Sequence, residues 1–245
     1  MLLEMMIVKI TVIGSGSMWN KYNSACYLID DIMIDFPNGA CKYLYRLGII
    51  PNKINNIIIT HFHGDHYFDI PFYLLNKSKS KNIDANIFCS KEGKSKIQLI
   101  GNLAFPNSFK DACDSINLKY IFKDNFIIGK YNVQRIIVDH GRMKPAYGYI
   151  FSEKDIKIGF TGDATICKNV EYMASVCNYL FCDCMFINGT SKHMGINMLK
   201  ELSAKYSSCT FVVNHMEDDT RKKLQRMGIK NVIVPHDGQV INIKK

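Results

Sequence analysis

The sequence predicts an α/β fold in two halves, and three observations lead to that class. Short runs of β-branched apolar residues, typical of buried strands, alternate along the chain with stretches of helical character. The second half of the chain repeats this alternation, although no sequence repeat of fixed period is present. No linker rich in Pro, Gly or Ser separates the halves, so we expect residues 1–245 to form a single domain.

The first half contains strand-like runs bounded by turn residues. Asp30 and Asp31 form a tight turn between two of these runs, and Gly48 ends a short helix. Asp69 and Pro71 mark the start of a second helix, because Pro is favoured in a first helical turn. Strands are predicted at 7–13, 26–29, 32–34, 57–59 and 87–89, helices at 40–47, 69–75 and 93–103, and a surface loop at 76–85, while 106–125 has no clear assignment.

The second half begins with strands on either side of a Gly129-Lys130 turn and continues with a hairpin that turns at 152–155. Gly228 ends the final helix. Strands are predicted at 126–128, 133–138, 147–151, 156–160, 179–186 and 210–214, and helices at 197–205 and 217–227.

Composition and charge restrict the classes of function. The 31 Lys and Arg residues against 22 Asp and Glu give a net charge of +9, which either favours anionic ligands, nucleic acid included, or simply aids solubility. No run of 18 apolar residues predicts a membrane span. The start Met1-Leu2-Leu3-Glu4 lacks the basic segment and cleavage site of a signal peptide. The nine cysteines have no framework spacing, which indicates reduced thiols in a cytoplasmic protein.

Four side chains that can bind a metal ion follow the strand at 57–59 within six residues. They lie in the segment Thr60-His61-Phe62-His63-Gly64-Asp65-His66, which holds three of the chain's seven histidines. Imidazole and carboxylate together suit zinc, and also manganese or iron. The alternative is a solvated polar loop with incidental histidines, and the clustering argues against it.

This HxHxDH pattern after an apolar strand resembles the signature of the metallo-β-lactamase superfamily. The resemblance implies that His61 and His63 bind one metal ion and that Asp65 and His66 bind a second. It also implies a four-layer αββα sandwich, in which helices flank two mixed β-sheets. A glycine loop similar to residues 14–17 borders the active site in that family, which would place 19–23 along the cleft; taken alone, the loop is equally well a plain turn.

Two further ligands follow strands in the second half, where the resemblance expects them. His140 sits at the position of the third metal motif, and the segment 145–150 after it is similar to the Pro-x-x-Gly-Tyr strand of the ribonuclease Z branch. Asp163, after the strand at 156–160, corresponds to the carboxylate that bridges two metal ions in the family. Taken alone, His140 could be a turn histidine and Asp163 a helix N-cap.

The strand at 179–186 contains a carboxylate, Asp183, among apolar residues. A buried carboxylate without a partner is costly, so we expect one. In the ribonuclease Z branch an acidic residue here pairs with a histidine downstream, which would be His193, and the pair resembles a proton shuttle for the leaving oxygen. The branch usually has Glu where this chain has Asp, and a purely structural hydrogen bond is the alternative.

The last metal ligand has two candidates. His215 ends the strand at 210–214 and precedes a helix, as in the last metal motif of the family, whereas His236 also follows an apolar strand; we favour His215. Asp35 leaves two interpretations open as well. It resembles the family's aspartate that supports the metal loop, or it caps the helix at 40–47.

These residues predict an enzyme, a dinuclear metal-dependent hydrolase with two divalent ions, zinc by default and manganese or iron as alternatives. A metal-bridging hydroxide would be the nucleophile, Asp65 would orient it or accept its proton, and His193 with Asp183 would serve the leaving group. We expect a phosphodiesterase for small or short substrates, because His140 and Asp163 are only 23 positions apart and leave no room for the tRNA-binding arm of ribonuclease Z.

Three alternatives stay open: a ribonuclease Z-like RNA endonuclease, a thioester hydrolase of the glyoxalase II type, and a protein that binds a ligand without catalysis. The partners to consider are a small anionic substrate, nucleic acid and, in a homodimer, a second copy of the chain, but not a membrane.

Overall fold

The structure, a computed structural model, describes residues 7–244. The prediction that no signal peptide is present concerns Met1-Leu2-Leu3-Glu4, which lies outside these residues. Two β-sheets of seven strands each form the centre of the molecule, and helices cover the outer face of each sheet. The predicted αββα sandwich of two mixed sheets is therefore confirmed.

The first sheet has the strand order β14-β1-β2-β3-β4-β5-β6. Its first three strand pairs are antiparallel and its last three are parallel, with the change of direction at β3. Its strands are β1 (Ile7–Gly14), β2 (Cys26–Ile29), β3 (Ile32–Ile34), β4 (Asn56–Ile58), β5 (Asp84–Phe88), β6 (Asn117–Ile121) and β14 (Val240–Lys244).

The second sheet has the order β13-β12-β11-β10-β9-β8-β7 and repeats the same pattern of strand pairs. Three antiparallel pairs run from β7 to β10, and three parallel pairs run from β10 to β13. Its strands are β7 (Asn125–Ile128), β8 (Tyr131–Ile137), β9 (Tyr147–Glu153), β10 (Ile156–Phe160), β11 (Tyr179–Asp183), β12 (Thr210–Asn214) and β13 (Val232–Ile233).

The helices form the two outer layers. Helices α1 (Ala40–Arg46), α2 (Gly64–Tyr67), α3 (Ile70–Lys77), α4 (Lys91–Ala104) and α5 (Ser108–Asp114), with a 3-10 turn at Pro51–Lys53, belong to the first half. Helices α6 (Lys168–Val176), α7 (Ile196–Lys205) and α8 (Asp218–Met227) belong to the second. In residues 7–244 no helix is long and apolar enough to cross a membrane.

Three apolar layers hold the four structural layers together. The central layer lies between the sheets and includes Ile10, Tyr27, Phe151 and Phe181, with residues from both halves of the chain. A second layer packs the first sheet against α1, α3, α4 and α5, and a third packs the second sheet against α6, α7 and α8. Burial of these aliphatic and aromatic side chains is the dominant stabilising term.

Several elements differ from the sequence-based prediction. The unassigned stretch 106–125 contains α5 and β6, and β14 was not predicted at all. The strand predicted at 179–186 ends at Asp183, and the hairpin turn predicted at 152–155 is tighter, because β9 continues to Glu153. The predicted surface loop at 76–85 begins within α3, where Lys77 is fully buried.

Candidate metal centre

The predicted metal-binding side chains all follow carboxyl ends of strands, and the two sheets bring these ends together. After β4 come His61, His63, Asp65 and His66, of which the last two lie in the short helix α2. His140, Asp163 and His215 follow β8, β10 and β12 of the second sheet. All seven residues fall into groups whose candidate ligand atoms lie within 4.8 Å of one another.

The first group consists of His61, His63, His140 and Asp163. His63 Nδ1 lies 3.0 Å from His61 Nε2 and 3.1 Å from His140 Nε2. Two zinc–nitrogen bonds of about 2.1 Å can span up to roughly 4 Å, so these separations suit nitrogens that share one cation.

The second group consists of Asp65, His66 and His215. His215 Nε2 lies 3.3 Å from Asp65 Oδ2, and His66 Nε2 lies 3.7 Å from the same oxygen. His215 adopts a left-handed backbone conformation with φ of 54°, which is unfavourable for a residue other than glycine. The fold therefore holds this imidazole in place at an energetic cost.

Asp163 lies between the two groups. Its Oδ2 is 3.3 Å from Nε2 of both His66 and His215, 3.7 Å from His61 Nε2 and 4.0 Å from His140 Nε2. The preceding Gly162 has φ of 61°, and a Cβ there would come within 2.7 Å of the Thr60 side chain. Only glycine therefore lets the chain turn so that Asp163 enters the centre.

The hydrogen bonds at the back of the imidazoles leave their inner nitrogens free for a cation. His140 Nδ1 lies 2.9 Å from the carbonyl oxygen of Lys192, so this nitrogen donates and Nε2 carries the lone pair. His66 Nδ1 lies 2.8 Å from Asp35 Oδ2, and among residues 7–244 its buried Nε2 has no hydrogen-bond partner. Asp65 Oδ1 is also buried without a partner among residues 7–244, whereas His215 turns Nε2, not its unpaired Nδ1, toward Asp65 and Asp163. Buried lone pairs that face one another are unfavourable unless a cation lies between them, so the residues fit divalent metal ions.

The pKa values of the histidines in the first group are lowered, whereas the pKa of His215 in the second group is raised. Burial lowers the pKa of His61 and His63, and that of His140 to about 4, which favours the neutral form that binds metal. Burial also acts on His215, but the charge of Asp163 and the hydrogen bond with Asp65 outweigh it and raise the pKa to about 9. A cation in the second group would therefore displace protons when it binds.

Asp35 supports the loop at 60–66, which carries four of the candidate ligands and is called the metal loop below, rather than capping a helix. Its Oδ1 accepts a hydrogen bond from Thr60 N at 2.8 Å, and its Oδ2 accepts one from Thr60 Oγ1 at 2.7 Å and contacts His66 Nδ1. Helix α1 begins after Gly39 and has no side-chain cap. Of the two interpretations, the structure therefore favours support of the loop. Thr60 and the Lys192 carbonyl were not anticipated, because neither a threonine nor a backbone oxygen gives a signal in the sequence.

Asp183 has the partner that its burial requires. It is fully buried at the end of β11, and its Oδ2 lies 2.7 Å from His193 Nδ1 and accepts a hydrogen bond from Ala164 N at 3.1 Å. Burial raises the pKa of Asp183, and the bond with His193 opposes that rise. The His193 ring stacks on His215 with 5.3 Å between the ring centroids, and His193, Asp163 and His215 form a third group that could hold a metal ion, so His193 lies at the wall of the candidate metal centre.

His236 lies away from these residues. It is exposed, and its Nδ1 contacts the backbone oxygen of Asp237 at 2.9 Å. Within the described part of the chain it belongs to none of the groups that could hold a metal ion. Cysteine is absent from the described groups too, and all nine cysteines are free thiols.

The sequence of this chain matches a family of known proteins. Residues 8–238 match the model described as Anti-Pycsar protein Apyc1. The chain belongs to this family.

The curated relatives of this Apyc1-family chain include ribonuclease Z of Pyrococcus horikoshii. It is 33% identical over 129 residues, which make up 53% of this chain and 41% of the relative. Ribonuclease Z of Picrophilus torridus is 31% identical over 159 residues, or 60% of this chain and 48% of the relative. The chain thus spans less than half the length of these relatives.

Solved structures show the same fold at low sequence identity. The metallo-β-lactamase fold protein YhfI of Bacillus subtilis superposes with a TM-score of 0.78 at 16% identity and covers 97% of this chain and 100% of its own. The short form of human tRNase Z gives 0.73 at 17% identity, with 95% and 98% covered. A diphosphatase of the PhnP family gives 0.73 at 16% identity, with 96% and 97% covered. This Apyc1-family chain therefore has the metallo-β-lactamase fold, as the HxHxDH motif predicted.

Proposed function

We propose that this chain is a metal-dependent hydrolase that cleaves small or short phosphodiesters, cyclic nucleotides among them. The observation that carries the proposal is the central position of Asp163, whose Oδ2 lies within 4.0 Å of four imidazoles from both metal groups. A single carboxylate in that position suits a pair of cations, and paired cations suit phosphoryl transfer. The relatives named ribonuclease Z support a hydrolase of this class.

The residues that would hold the cations follow from the groups above. His61, His63 and His140 would bind one ion, Asp65, His66 and His215 would bind the other, and Asp163 would bridge them. Zinc is the first choice for this nitrogen-rich set, with manganese or iron as alternatives. When bound, two such ions supply Lewis-acid activation of the phosphoryl group and lower the pKa of water to around 7.

The chain's own residues would handle the protons. Asp65 Oδ1 is buried and without a hydrogen-bond partner in residues 7–244, so it is free to orient the attacking water or accept its proton. Asp183 holds Nδ1 of His193, which leaves Nε2 of His193 to give a proton to the leaving oxygen. Asp183 thus positions the imidazole that would act on the substrate.

The short chain between His140 and Asp163 favours a small substrate. Strands β9 and β10 fill this interval as a hairpin, with a turn only two residues long. No arm that could grip a folded RNA extends from it. Few phosphate contacts outside the cleft are then available, and the net charge of +9 would mainly attract small anions to the cleft.

The test is a comparison of substrates. Metal-loaded protein is assayed on a cyclic mononucleotide, a cyclic dinucleotide, bis(p-nitrophenyl) phosphate and a tRNA precursor over a series of salt concentrations. We expect higher kcat/KM on the small diesters and a shallow salt dependence. A strong preference for the tRNA precursor with a steep salt dependence, the sign of many released counterions, would instead establish an RNA endonuclease.

A ribonuclease Z-like activity is the second candidate, because the curated relatives carry that name. A thioester hydrolase is the third, and turnover of a glutathione thioester without turnover of any diester would establish it. Failure to hydrolyse either class with metal bound would leave a binding protein without catalysis.

The His193–Asp183 pair allows a separate test of the mechanism. His193→Ala should slow hydrolysis by about 10²–10⁴-fold, the range for loss of a general acid, while metal content stays the same. The loss should shrink for a diester with a p-nitrophenolate leaving group, which needs no proton. An equal loss on both types of substrate would point to a structural role for the pair.

Three further properties belong to the proposal. A single domain over residues 1–245 is supported by the central apolar layer, which combines both halves. A cytoplasmic location is supported by the nine free thiols. A homodimer stays a prediction, and light scattering of the purified protein would test it.

A further inference from the structure

We propose that Trp19 forms a stacking platform for the nucleobase of the substrate, and so gives the centre a preference for diesters that carry a base. The inference rests on the proposed phosphodiesterase function and adds to it a residue that positions the substrate outside the metal groups. Three observations carry it: the attachment of the loop at Trp19 to the strand end that bears His215, the rigid base of that loop, and the exposure of the indole.

The loop at 15–20 is attached directly beside a proposed metal ligand. Gly16 forms a β-bridge with Met216, the residue after His215. Asn20 donates from Nδ2 to the Met216 carbonyl at 2.6 Å, and Ser17 Oγ donates to Glu217 Oε1 at 2.5 Å. Trp19 is only three residues from Gly16, which limits their separation to roughly 10 Å. The loop that carries Trp19 is thus attached to the chain immediately after the proposed ligand His215.

The base of this loop is built on a buried arginine and a half-buried aspartate. Arg221 is 3% exposed, and its guanidinium lies 3.9 Å from the Tyr22 ring centroid and donates to both oxygens of Ser15. Asp237 accepts hydrogen bonds from the backbone nitrogens of Ser15 and Asn23. Such a network fixes the loop in one conformation, which keeps the entropic cost of stacking low.

Within this anchored loop the Trp19 side chain is left 75% exposed. It is the only tryptophan of the chain, and Met18 beside it is 47% exposed. A large apolar ring gains free energy when it is covered, so an indole that a rigid loop holds in solvent, on a loop attached next to His215, suits a stacking surface for a ligand. Nucleobases are flat and lie beyond the phosphate that the metal groups would bind. Every base presents a π-face, so stacking on indole would accept all of them.

The experiment compares a cyclic mononucleotide with its abasic analogue, the same cyclic phosphate on a sugar without a base. Loss of base–aromatic stacking corresponds to a drop of about 5- to 150-fold in binding of the base. We therefore expect Trp19→Ala to lower the ratio of kcat/KM for the nucleotide to kcat/KM for the abasic diester by that factor. Trp19→Phe should restore most of the ratio, and Met18→Ala is the matched control in the same loop.

A binding measurement needs no turnover. Because Trp19 is the only tryptophan, its fluorescence reports on this loop alone. Titration with a slowly hydrolysed cyclic nucleotide phosphorothioate should quench the emission, whereas the abasic analogue should not.

Three outcomes would overturn the inference. An unchanged ratio in Trp19→Ala, which includes an equal loss on both substrates, or an absence of quenching would show that the indole does not contact the base. A change of oligomeric state in Trp19→Ala would assign the indole to a contact between copies of the chain. If wild-type protein cleaves neither diester, the proposed function itself has failed, and this result is distinct from the other three.

Discussion

The two halves of the molecule have the same arrangement of strands but supply the proposed metal-binding side chains in different ways. In each sheet three antiparallel pairs are followed by three parallel pairs, and the change occurs at the fourth strand, β3 in one half and β10 in the other. The first half supplies four of the proposed ligands from a single loop after β4. The second half supplies one residue from each of three strand ends, namely His140, Asp163 and His215.

The equivalent strands β3 and β10 show most clearly what this difference means. Each is followed by an aspartate, but Asp35 holds the metal loop from behind while Asp163 faces both metal groups. The aspartate after the equivalent strand therefore supports the proposed site from behind in the first half, whereas in the second half it is part of the site. Substitutions in the two halves should therefore have different effects on metal content and activity.

The largest effect is expected when the ligand loop of the first half is damaged. Purified protein should contain close to two metal ions per chain, and the double variant His61→Ala, His63→Ala should lose at least one, because two nitrogens of the first group are removed. Activity should fall by more than the roughly 10–100-fold that loss of an outer hydrogen-bond partner costs. Elemental analysis is the measurement. Wild-type protein that contains no transition metal after purification without chelator would refute the dinuclear site.

The two equivalent aspartates should differ in their effects. Asp163→Asn removes the charge between four imidazoles, so loss of metal and activity should exceed a hundredfold. Asp35→Asn leaves every ligand present and weakens only the support of Thr60 and His66, which should cost about 10–100-fold in metal affinity. Metal titration and kcat/KM of both variants provide the comparison. If Asp35→Asn proves the more damaging, the roles assigned to the two halves are reversed.

Substitutions of the two histidines near the end of the second half, His215 and His236, should also differ in their effect on activity. His215→Ala removes a nitrogen of the second group and should reduce activity by about two orders of magnitude or more, whereas the exposed His236→Ala should have little effect. Assays of both variants under the same metal concentration decide between them. Full metal content and activity in His215→Ala would transfer the ligand role to His236.

The smallest effect concerns stability alone and lies in the outer layer of the first half. Lys77 is fully buried and donates to the carbonyls of Asn52 and Ile54 and to Asn55 Oδ1. Lys77→Met would leave the Asn52 carbonyl without this donor and should lower the free energy of unfolding by about 1–3 kcal/mol, with metal content unchanged. Urea denaturation measures the change.

The control for that experiment is Lys110→Met, at a side chain that is 75% exposed. It should change the free energy of unfolding by less than about 0.5 kcal/mol. Equal stability of the two variants would show that the buried ammonium makes no net contribution.

The sequence alone determined those features of the fold and the candidate site that depend on residues close together in the chain. The alternation of strands and helices and the segment from His61 to His66 could be recognised, because four potential ligands in one loop after a strand are a local property of the chain. His140, Asp163 and His215 were identified through the family resemblance, since each is a single polar residue after a strand and has other ordinary explanations.

Only the tertiary structure decided how distant residues are paired. It assigned Asp35 to the metal loop, chose His215 over His236 as the neighbour of Asp65, and buried Lys77 where a surface loop was predicted. Strand β14 escaped prediction because it pairs with β1 from the other end of the chain. The physical reason is the same in each case: the partners of these polar groups are far apart in sequence, and they meet only when the two sheets pack together and exclude water.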